Sequence, residues 1–305
     1  MLLLIGLSGH RALAERRVVY TVPANEADPN VQRFLGPNWI LYDPPPEAAA
    51  NLLVYLPGTG RGPDARSPFP ALKWFLDAAA DRGYRVIALA YDNFPAELRV
   101  CMRNPDPNCA ADFRMKRIFG TDTTSLIDDT PAEAIVNRLT KLLEYLDRTH
   151  PNEGWGAYLD NGAPRWSRIA VAGHSQGAGM AAFLAKRVEL ARVVLLSGPA
   201  DFTLPGRVLA PWIASPGATP ASRWYAMYHQ QERLAPLLQQ AAAALGIPPD
   251  HIRVATLPPR VPPWFTGRGD LYHLSDIGDG TTPRNDAGKP LYLPDWDFLF
   301  GHSPR

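Results

Sequence analysis

The chain has 305 residues, of which 46% are hydrophobic and 20% are charged, and its formal net charge is +1. The hydrophobic content is too high for a disordered chain, and there is no basic excess to neutralise the phosphates of a nucleic acid. After the first few residues, no apolar run approaches the roughly 20 residues that a membrane-spanning helix needs, which argues against a membrane protein.

The N-terminus resembles a targeting segment. Residues 1–7 are mostly apolar, and Ala12-Leu13-Ala14 then gives an A-x-A pattern just before Glu15. This combination is typical of the end of a secretory signal peptide. We therefore predict a signal-peptide remnant at residues 1–14, a single domain at 15–305 and a secreted or periplasmic location. The alternative is a frayed apolar N-terminus.

Two cysteines, Cys101 and Cys109, lie in a Pro-, Asn- and Asp-rich stretch with seven residues between them. In a secreted protein, a pair this close is expected to form one disulfide that closes a small loop. The alternative is two unpaired thiols. Neither cysteine belongs to a C-x-x-C motif, so the sequence supports no zinc site or redox motif.

Apolar runs with strand character alternate with helical patterns along the chain. The predicted strands are 18–22, 39–42, 51–56, 85–90, 168–172, 193–197, 223–229 and 252–257, and the predicted helices are 69–82, 131–149, 180–188 and 234–245. The alternation between 51 and 257 favours a mainly parallel sheet with helices on both faces. Residues 91–130 are predicted to be a long irregular excursion, and a loop of that length is usually functional, for example as a lid.

The run Gly173–Gly177 reads Gly-His-Ser-Gln-Gly and matches the pattern G-x-S-x-G. It directly follows a predicted strand and precedes the small residues 178–182, which are predicted to be helical. In this setting the serine occupies a strained turn, and the glycines let the strand and helix approach closely. A helix N-terminus beside Ser175 also favours negative charge. We interpret Ser175 as a nucleophile; the alternative is a structural Gly-rich turn.

On these residues the chain resembles the α/β-hydrolase superfamily of serine hydrolases over roughly residues 50–300. The run 173–179, Gly-His-Ser-Gln-Gly-Ala-Gly, is similar to the elbow of secreted lipases and cutinase-like esterases. The resemblance implies an α/β fold with a central, mostly parallel sheet of the eight-stranded type, flanked by helices. It also implies a Ser-His-acid triad that needs no cofactor and no metal.

The resemblance implies two backbone N–H donors for the oxyanion. One belongs to Gln176, which follows the nucleophile. The other comes from the loop 56–60, Leu-Pro-Gly-Thr-Gly, and is the N–H of Thr59. A dinucleotide-binding loop is the alternative for these glycines, but Pro63 follows the third glycine and no helix is predicted before residue 69.

The triad histidine of the family follows the last strand. Among the seven histidines, His273 lies about sixteen residues after the strand 252–257, and we predict it to be the general base. The alternative is an ordinary surface-loop histidine. His174 lies inside the elbow motif and is expected to pack beside the strand.

Two residues are candidates for the triad acid. Glu232 follows the strand 223–229 and begins the run Glu-Arg-Leu-Ala-Pro, which matches the Asp-x-x-Ala-Pro segment of cutinase-like polyester hydrolases. Asp201 follows the strand 193–197, where some lipases place the acid. We favour Glu232. The alternatives are a helix N-terminal acid for Glu232 and a turn-capping residue for Asp201.

Three functions are compatible with these residues. The first is a secreted carboxylic-ester hydrolase with a small-molecule, lipid or polymeric ester substrate, acting as a monomer through an acyl-enzyme intermediate. The second is a serine peptidase or amidase with the same triad, and the third is a non-catalytic binding protein with this fold. We favour ester hydrolysis, because a binding module has no need for a serine, a histidine and an oxyanion loop together. The fold alone does not select the substrate.

Overall fold

A computed structural model describes residues 17–44, 49–60, 71–263, 265–267 and 269–304 of the chain. The predicted signal peptide at 1–14 lies outside the described residues. In the part of the chain that is described, no helix is both long and apolar enough to cross a membrane.

The centre of the fold is an eight-stranded sheet with the strand order β1-β2-β4-β3-β5-β6-β7-β8. The first two strands are antiparallel to their neighbours, and the other six run parallel to one another. The strands are β1 (Val18–Pro23), β2 (Pro37–Tyr42), β3 (Leu52–Leu56), β4 (Arg85–Ala88), β5 (Ile169–His174), β6 (Arg192–Leu196), β7 (Trp224–His229) and β8 (Ile252–Ala255).

Helices cover both faces of this sheet. They are α1 (Ala24–Ala27), α2 (Lys73–Asp81), α3 (Glu97–Cys101), α4 (Cys109–Phe119), α5 (Ile135–Thr149), α6 (Gln176–Arg187), α7 (Ala235–Ala244), α8 (Leu271–Ser275) and α9 (Leu293–Phe300). Two short hairpins pair Leu159–Asp160 with Ala163–Pro164 and Phe202–Thr203 with Val208–Leu209.

Both faces of the central strands are buried, and this explains why they are continuously apolar in sequence. In β3, Leu52 and Val54 point into a core shared with α4, α5 and α6. The alternate residues Leu53 and Tyr55 point into a second core with α2 and α9. Every residue of β5 is buried as well. Ser175 therefore directly follows a fully buried strand at the middle of the sheet.

The structure corrects several predictions. Residues 91–130 are not one irregular excursion, because they contain α3 and α4. The helix predicted at 69–82 begins at Lys73 within the described residues, and the helix predicted over 178–182 and 180–188 already begins at Gln176. The C-terminal helix α9 was not predicted.

The predicted disulfide between Cys101 and Cys109 is present, with a Cα–Cα distance of 5.5 Å. The sequence placed both cysteines in a loop, and that part of the prediction is wrong. Cys101 is the last residue of α3 and Cys109 is the first residue of α4. The bond therefore ties together the two helices of the segment 91–130.

Candidate active site

Ser175 occupies a sharp turn between β5 and α6. Its backbone has φ 56° and ψ −120°, a left-handed region that is strained for a residue with a Cβ. The Ser175 N–H donates to the carbonyl oxygen of Leu196 at 2.8 Å, which holds the turn against β6. The strain and the position at the strand end are those of a nucleophile elbow.

The two glycines of the motif have a steric function. A Cβ on Gly173 would lie 2.2 Å from the carbonyl oxygen of Gly177, and a Cβ on Gly177 would lie 2.0 Å from the carbonyl oxygen of Leu56. Both contacts are with backbone, which cannot move aside without shifting α6 or β3. Glycine at both positions therefore lets α6 begin directly against β3 and β5.

His273 lies on the short helix α8, which follows the last strand. The prediction that it lies on a loop is therefore wrong in its local structure, although its place after β8 is as predicted. Asp270 caps the helix, because its Oδ1 accepts hydrogen bonds from the N–H groups of Tyr272 (3.1 Å) and His273 (3.3 Å). This cap fixes the backbone that carries the imidazole. His273 and Ser175 line the same two cavities.

Glu232 is the acid that contacts His273. Its Oε2 lies 2.7 Å from the His273 Nδ1, and the side chain of Glu232 is almost fully buried. Its other oxygen, Oε1, accepts hydrogen bonds from the backbone N–H of His229 and from the Ser197 hydroxyl, each at 2.9 Å. These bonds hold the carboxylate so that one oxygen faces the imidazole.

Asp201 forms a different contact. Its carboxylate accepts two hydrogen bonds from the guanidinium of Arg114, one of them at 2.6 Å, and one from the Trp212 indole N–H at 2.9 Å. Asp201 and Arg114 are both buried. The structure thus brings Ser175, His273 and Glu232 together and uses Asp201 in a buried ion pair.

Thr59 and Gln176 face each other across the elbow. The Thr59 hydroxyl lies 3.3 Å from the Gln176 Oε1, which also accepts the backbone N–H of Glu97 at 2.8 Å. Gly58 brings this loop close to Ser175, because a Cβ there would lie 3.1 Å from the Ser175 Cβ. The first backbone N–H of α6, that of Gln176, is one of the orphan donors of a helix N-terminus.

Two residues that the sequence analysis missed hold the loop 57–60. Asn93 donates from Nδ2 to the Gly58 carbonyl at 2.6 Å and accepts the Gly60 N–H at 2.8 Å. The Tyr91 hydroxyl donates to the Pro57 carbonyl at 2.7 Å. Both residues follow β4 at the carboxyl edge of the sheet. In the sequence, the only signal that these residues hold the loop 57–60 is an asparagine shortly after a buried strand.

His174 is buried at the end of β5, as expected. Its Nε2 lies 2.8 Å from the His273 carbonyl oxygen. Burial, together with the charge of His273, lowers the pKa of His174 to about 3. The imidazole is therefore neutral at physiological pH, and its Nε2–H donates to that carbonyl. This bond ties α8 to β5, the strand that directly precedes Ser175.

Two cavities of different chemistry adjoin Ser175 and His273. One has a volume of about 230 Å³, and its lining includes the buried polar side chains of Glu97, Arg114 and Asp201. The other has a volume of about 380 Å³ and is mainly apolar, with Leu72, Leu274 and Ile277 in its wall. Burial and the neighbouring Asp201 raise the pKa of Glu97.

Among the described residues, no group of three or more His, Cys, Asp or Glu side chains could hold a metal ion.

The strand order, the strained serine after β5 and the histidine after β8 together define the architecture. The chain has the α/β-hydrolase fold. Neither a protein-family model nor a curated protein matches it.

Solved α/β hydrolases are among the structures to which the chain is similar. An esterase from the bacterial hormone-sensitive lipase family is 18% identical, with a TM-score of 0.45, over 94% of this chain and 84% of that chain. MGS-M1, an α/β hydrolase enzyme from a Medee basin deep-sea metagenome library, is 16% identical, with a TM-score of 0.39, over 79% and 81%. TT1662 from Thermus thermophilus is 16% identical, with a TM-score of 0.38, over 79% and 89%. At such low similarity, the chemistry of the site has to come from the residues of this chain.

Proposed function

We propose that the chain is a serine hydrolase that cleaves carboxylic esters with Ser175 as nucleophile, His273 as general base and Glu232 as triad acid. The observation that carries the proposal is the 2.7 Å contact between His273 Nδ1 and Glu232 Oε2, with Ser175 on the strained elbow that lines the same cavities. A buried carboxylate on one imidazole nitrogen fixes the tautomer in which the other nitrogen can accept a proton.

In the proposed reaction, Ser175 Oγ attacks the ester carbonyl and its proton passes to His273 Nε2. Glu232 keeps the proton on Nδ1 and stabilises the imidazolium. The N–H groups of Thr59 and Gln176 would hold the oxyanion. The imidazolium then protonates the leaving alcohol, and water hydrolyses the acyl-enzyme by the same steps in reverse.

The two cavities support a substrate of moderate size. Volumes of about 230 Å³ and 380 Å³ on the two sides of the serine suit the acyl and alcohol parts of a small-molecule ester. The larger cavity fits a hydrocarbon group, and the smaller one, whose lining includes Glu97, Arg114 and Asp201, fits a short group with a hydrogen-bonding atom. A location outside the cytoplasm, secreted or periplasmic, belongs to the proposal and is supported by the Cys101–Cys109 disulfide.

The experiment is a turnover panel of p-nitrophenyl esters with acyl chains of increasing length, run beside the corresponding p-nitroanilides. We expect turnover of the short esters, a fall in kcat/KM with longer chains, and much slower release from the anilides. Faster cleavage of the anilides would identify an amidase. Absence of turnover by folded protein on every substrate would identify a binding protein.

A further inference from the structure

Behind the Glu232 carboxylate lies a buried carboxyl group that the proposed triad does not use. Asp276 lies directly after α8, and its side chain is fully buried. Its Oδ2 lies 3.0 Å from the Ser197 Oγ, and that hydroxyl lies 2.9 Å from the Glu232 Oε1. The line of contacts therefore runs from Asp276 through Ser197 and Glu232 to the imidazole of His273.

Ser197 itself is held in an unusual conformation. It directly follows β6, and its φ of 48° is positive, which is strained for a residue with a Cβ. Its N–H donates to the Met227 carbonyl oxygen at 2.9 Å, so the backbone is anchored to β7. Strain of this kind persists only where the surroundings impose it, and here it places one hydroxyl between two carboxyl groups.

A count of hydrogens decides the protonation of this line. Ser197 has a single hydroxyl hydrogen, yet its oxygen is within hydrogen-bond distance of two carboxyl oxygens, so the three groups need a second hydrogen. Glu232 Oε1 already accepts the backbone N–H of His229. The triad role proposed above needs Glu232 as a carboxylate, so the hydroxyl hydrogen goes to Glu232 and the second hydrogen lies on Asp276.

The groups that face Asp276 agree with a neutral acid. Burial, together with the second carboxylate at Glu232, raises the pKa of Asp276 well above its ordinary value. His174 Nε2 is 3.7 Å from Asp276 Oδ1, too far for a hydrogen bond, and this imidazole is neutral. The other titratable neighbours are the phenols of Tyr55 and Tyr292, which carry no positive charge. Among the described residues, no lysine or arginine forms an ion pair with Asp276.

We propose that Asp276 is a positioning residue for the triad acid: as a neutral carboxylic acid it donates to Ser197 and so directs the Ser197 hydroxyl onto Glu232. The proposal rests on the proposed function of the Ser175 site. With Ser197 and the His229 N–H both on Oε1, the Oε2 of Glu232 remains for His273. Asp276 thus acts through two residues and touches no substrate.

The kinetic test compares Ser197→Ala, Asp276→Ala, the double variant and Asp276→Asn. A hydrogen bond to a charged group corresponds to roughly 10-fold or more, so each alanine variant should lower kcat by about 10- to 30-fold with little change in KM. The kcat of the double variant should be no lower than that of the poorer single variant, because both residues act on Glu232 through the same series of contacts. Asp276→Asn keeps an N–H donor for Ser197 and should retain kcat within about 3-fold.

Two further readouts separate positioning from a merely structural role. If Asp276 is neutral, Asp276→Asn leaves the acidic limb of the pH profile of kcat/KM in place. If it is a carboxylate, the same variant removes a negative charge near His273 and shifts that limb to lower pH. The matched control is Ser303→Ala, another buried hydrogen-bonded serine, whose Oγ accepts the Asn51 N–H far from the site. It should leave kcat unchanged.

Protonation is measured directly by the infrared difference spectrum of the wild type and Asp276→Asn at neutral pH. We expect a carboxylic-acid C=O band that is lost in the variant. A carboxylate band in place of the acid band would overturn the proposal. So would a double variant whose loss of kcat is the product of the two single losses, or an Asp276→Asn variant whose kcat is as low as that of Asp276→Ala. The spectrum needs no turnover, so a failure of the proposed function, seen as undiminished activity of Ser175→Ala, is distinguishable from a failure of this proposal.

Discussion

Replacing either acid by its amide separates the two candidates for the triad acid. Glu232→Gln keeps the shape of the side chain but puts an amide against the imidazole Nδ1, where Glu232 Oε2 now accepts at 2.7 Å. In a serine protease the equivalent change costs about 10⁴-fold in kcat, because the imidazole is held in the wrong tautomer. We expect a loss of about 10³- to 10⁴-fold here, or roughly 4–5.5 kcal/mol of transition-state stabilisation.

Asp201→Asn should have the opposite effect: it should lower the free energy of unfolding and leave most of the turnover in place. The Arg114 guanidinium is buried and depends on the Asp201 carboxylate for two hydrogen bonds. Breaking a buried ion pair costs about 3–5 kcal/mol. We therefore expect Asp201→Asn to lose stability in that range, about 3–5 kcal/mol, with kcat changed by less than about 10-fold.

The assay pairs urea unfolding with p-nitrophenyl ester turnover on each purified variant, measured where both remain folded. The expected contrast is an inactive but stable Glu232→Gln and an active but destabilised Asp201→Asn. If folded Asp201→Asn loses turnover while Glu232→Gln keeps it, the acid follows β6 and the assignment is wrong. If both keep turnover, the imidazole needs neither carboxylate.

Gly177→Ala puts a Cβ 2.0 Å from the Leu56 carbonyl oxygen, so we expect poor folding or loss of turnover. The control is Gly36→Ala, whose Cβ would meet only the Phe34 side chain at 3.5 Å, and it should unfold thermally like the wild type. Replacing both cysteines by serine should lower the free energy of unfolding by about 2.5 kcal/mol, and thiol titration of denatured, unreduced wild type should find no free thiol. The pKa of Asp276 is raised in the fold, so above about pH 4 the wild type takes up a proton when it folds. Its free energy of unfolding should therefore fall with rising pH, relative to that of Asp276→Asn, by about 1.4 kcal/mol per pH unit. The fall should end where the pH reaches the raised pKa. Parallel stability curves for the two proteins would contradict this.

The sheet was predictable because its buried strands are apolar on both faces. The runs around β3 and β5 have no polar interruption, and turn residues follow them. The helix α4 was missed for the opposite reason. It buries Arg114 and Arg117, each against an aspartate, so it shows no apolar periodicity that a sequence can reveal. The helix α9 was missed because a Pro- and Gly-rich run precedes it and it has only eight residues.

The triad candidates were visible because the family resemblance assigns each to a strand end. The sequence could not separate Glu232 from Asp201, since both follow buried strands. What distinguishes them is the partner that each meets in the fold: His273 for Glu232, and an arginine 87 residues away in sequence for Asp201. Asp276 is invisible for the same reason, because its contact with Ser197 spans 79 residues.

The most direct test of the account is covalent labelling by a fluorophosphonate, followed by mass-spectrometric mapping of the adduct. A serine activated by His273 should react, and the adduct should map to Ser175 in about one-to-one stoichiometry. Ser175→Ala should abolish labelling, and His273→Gln should slow it strongly while leaving the protein folded. An adduct on another residue, or labelling of Ser175 that does not depend on His273, would contradict the assignment of the site.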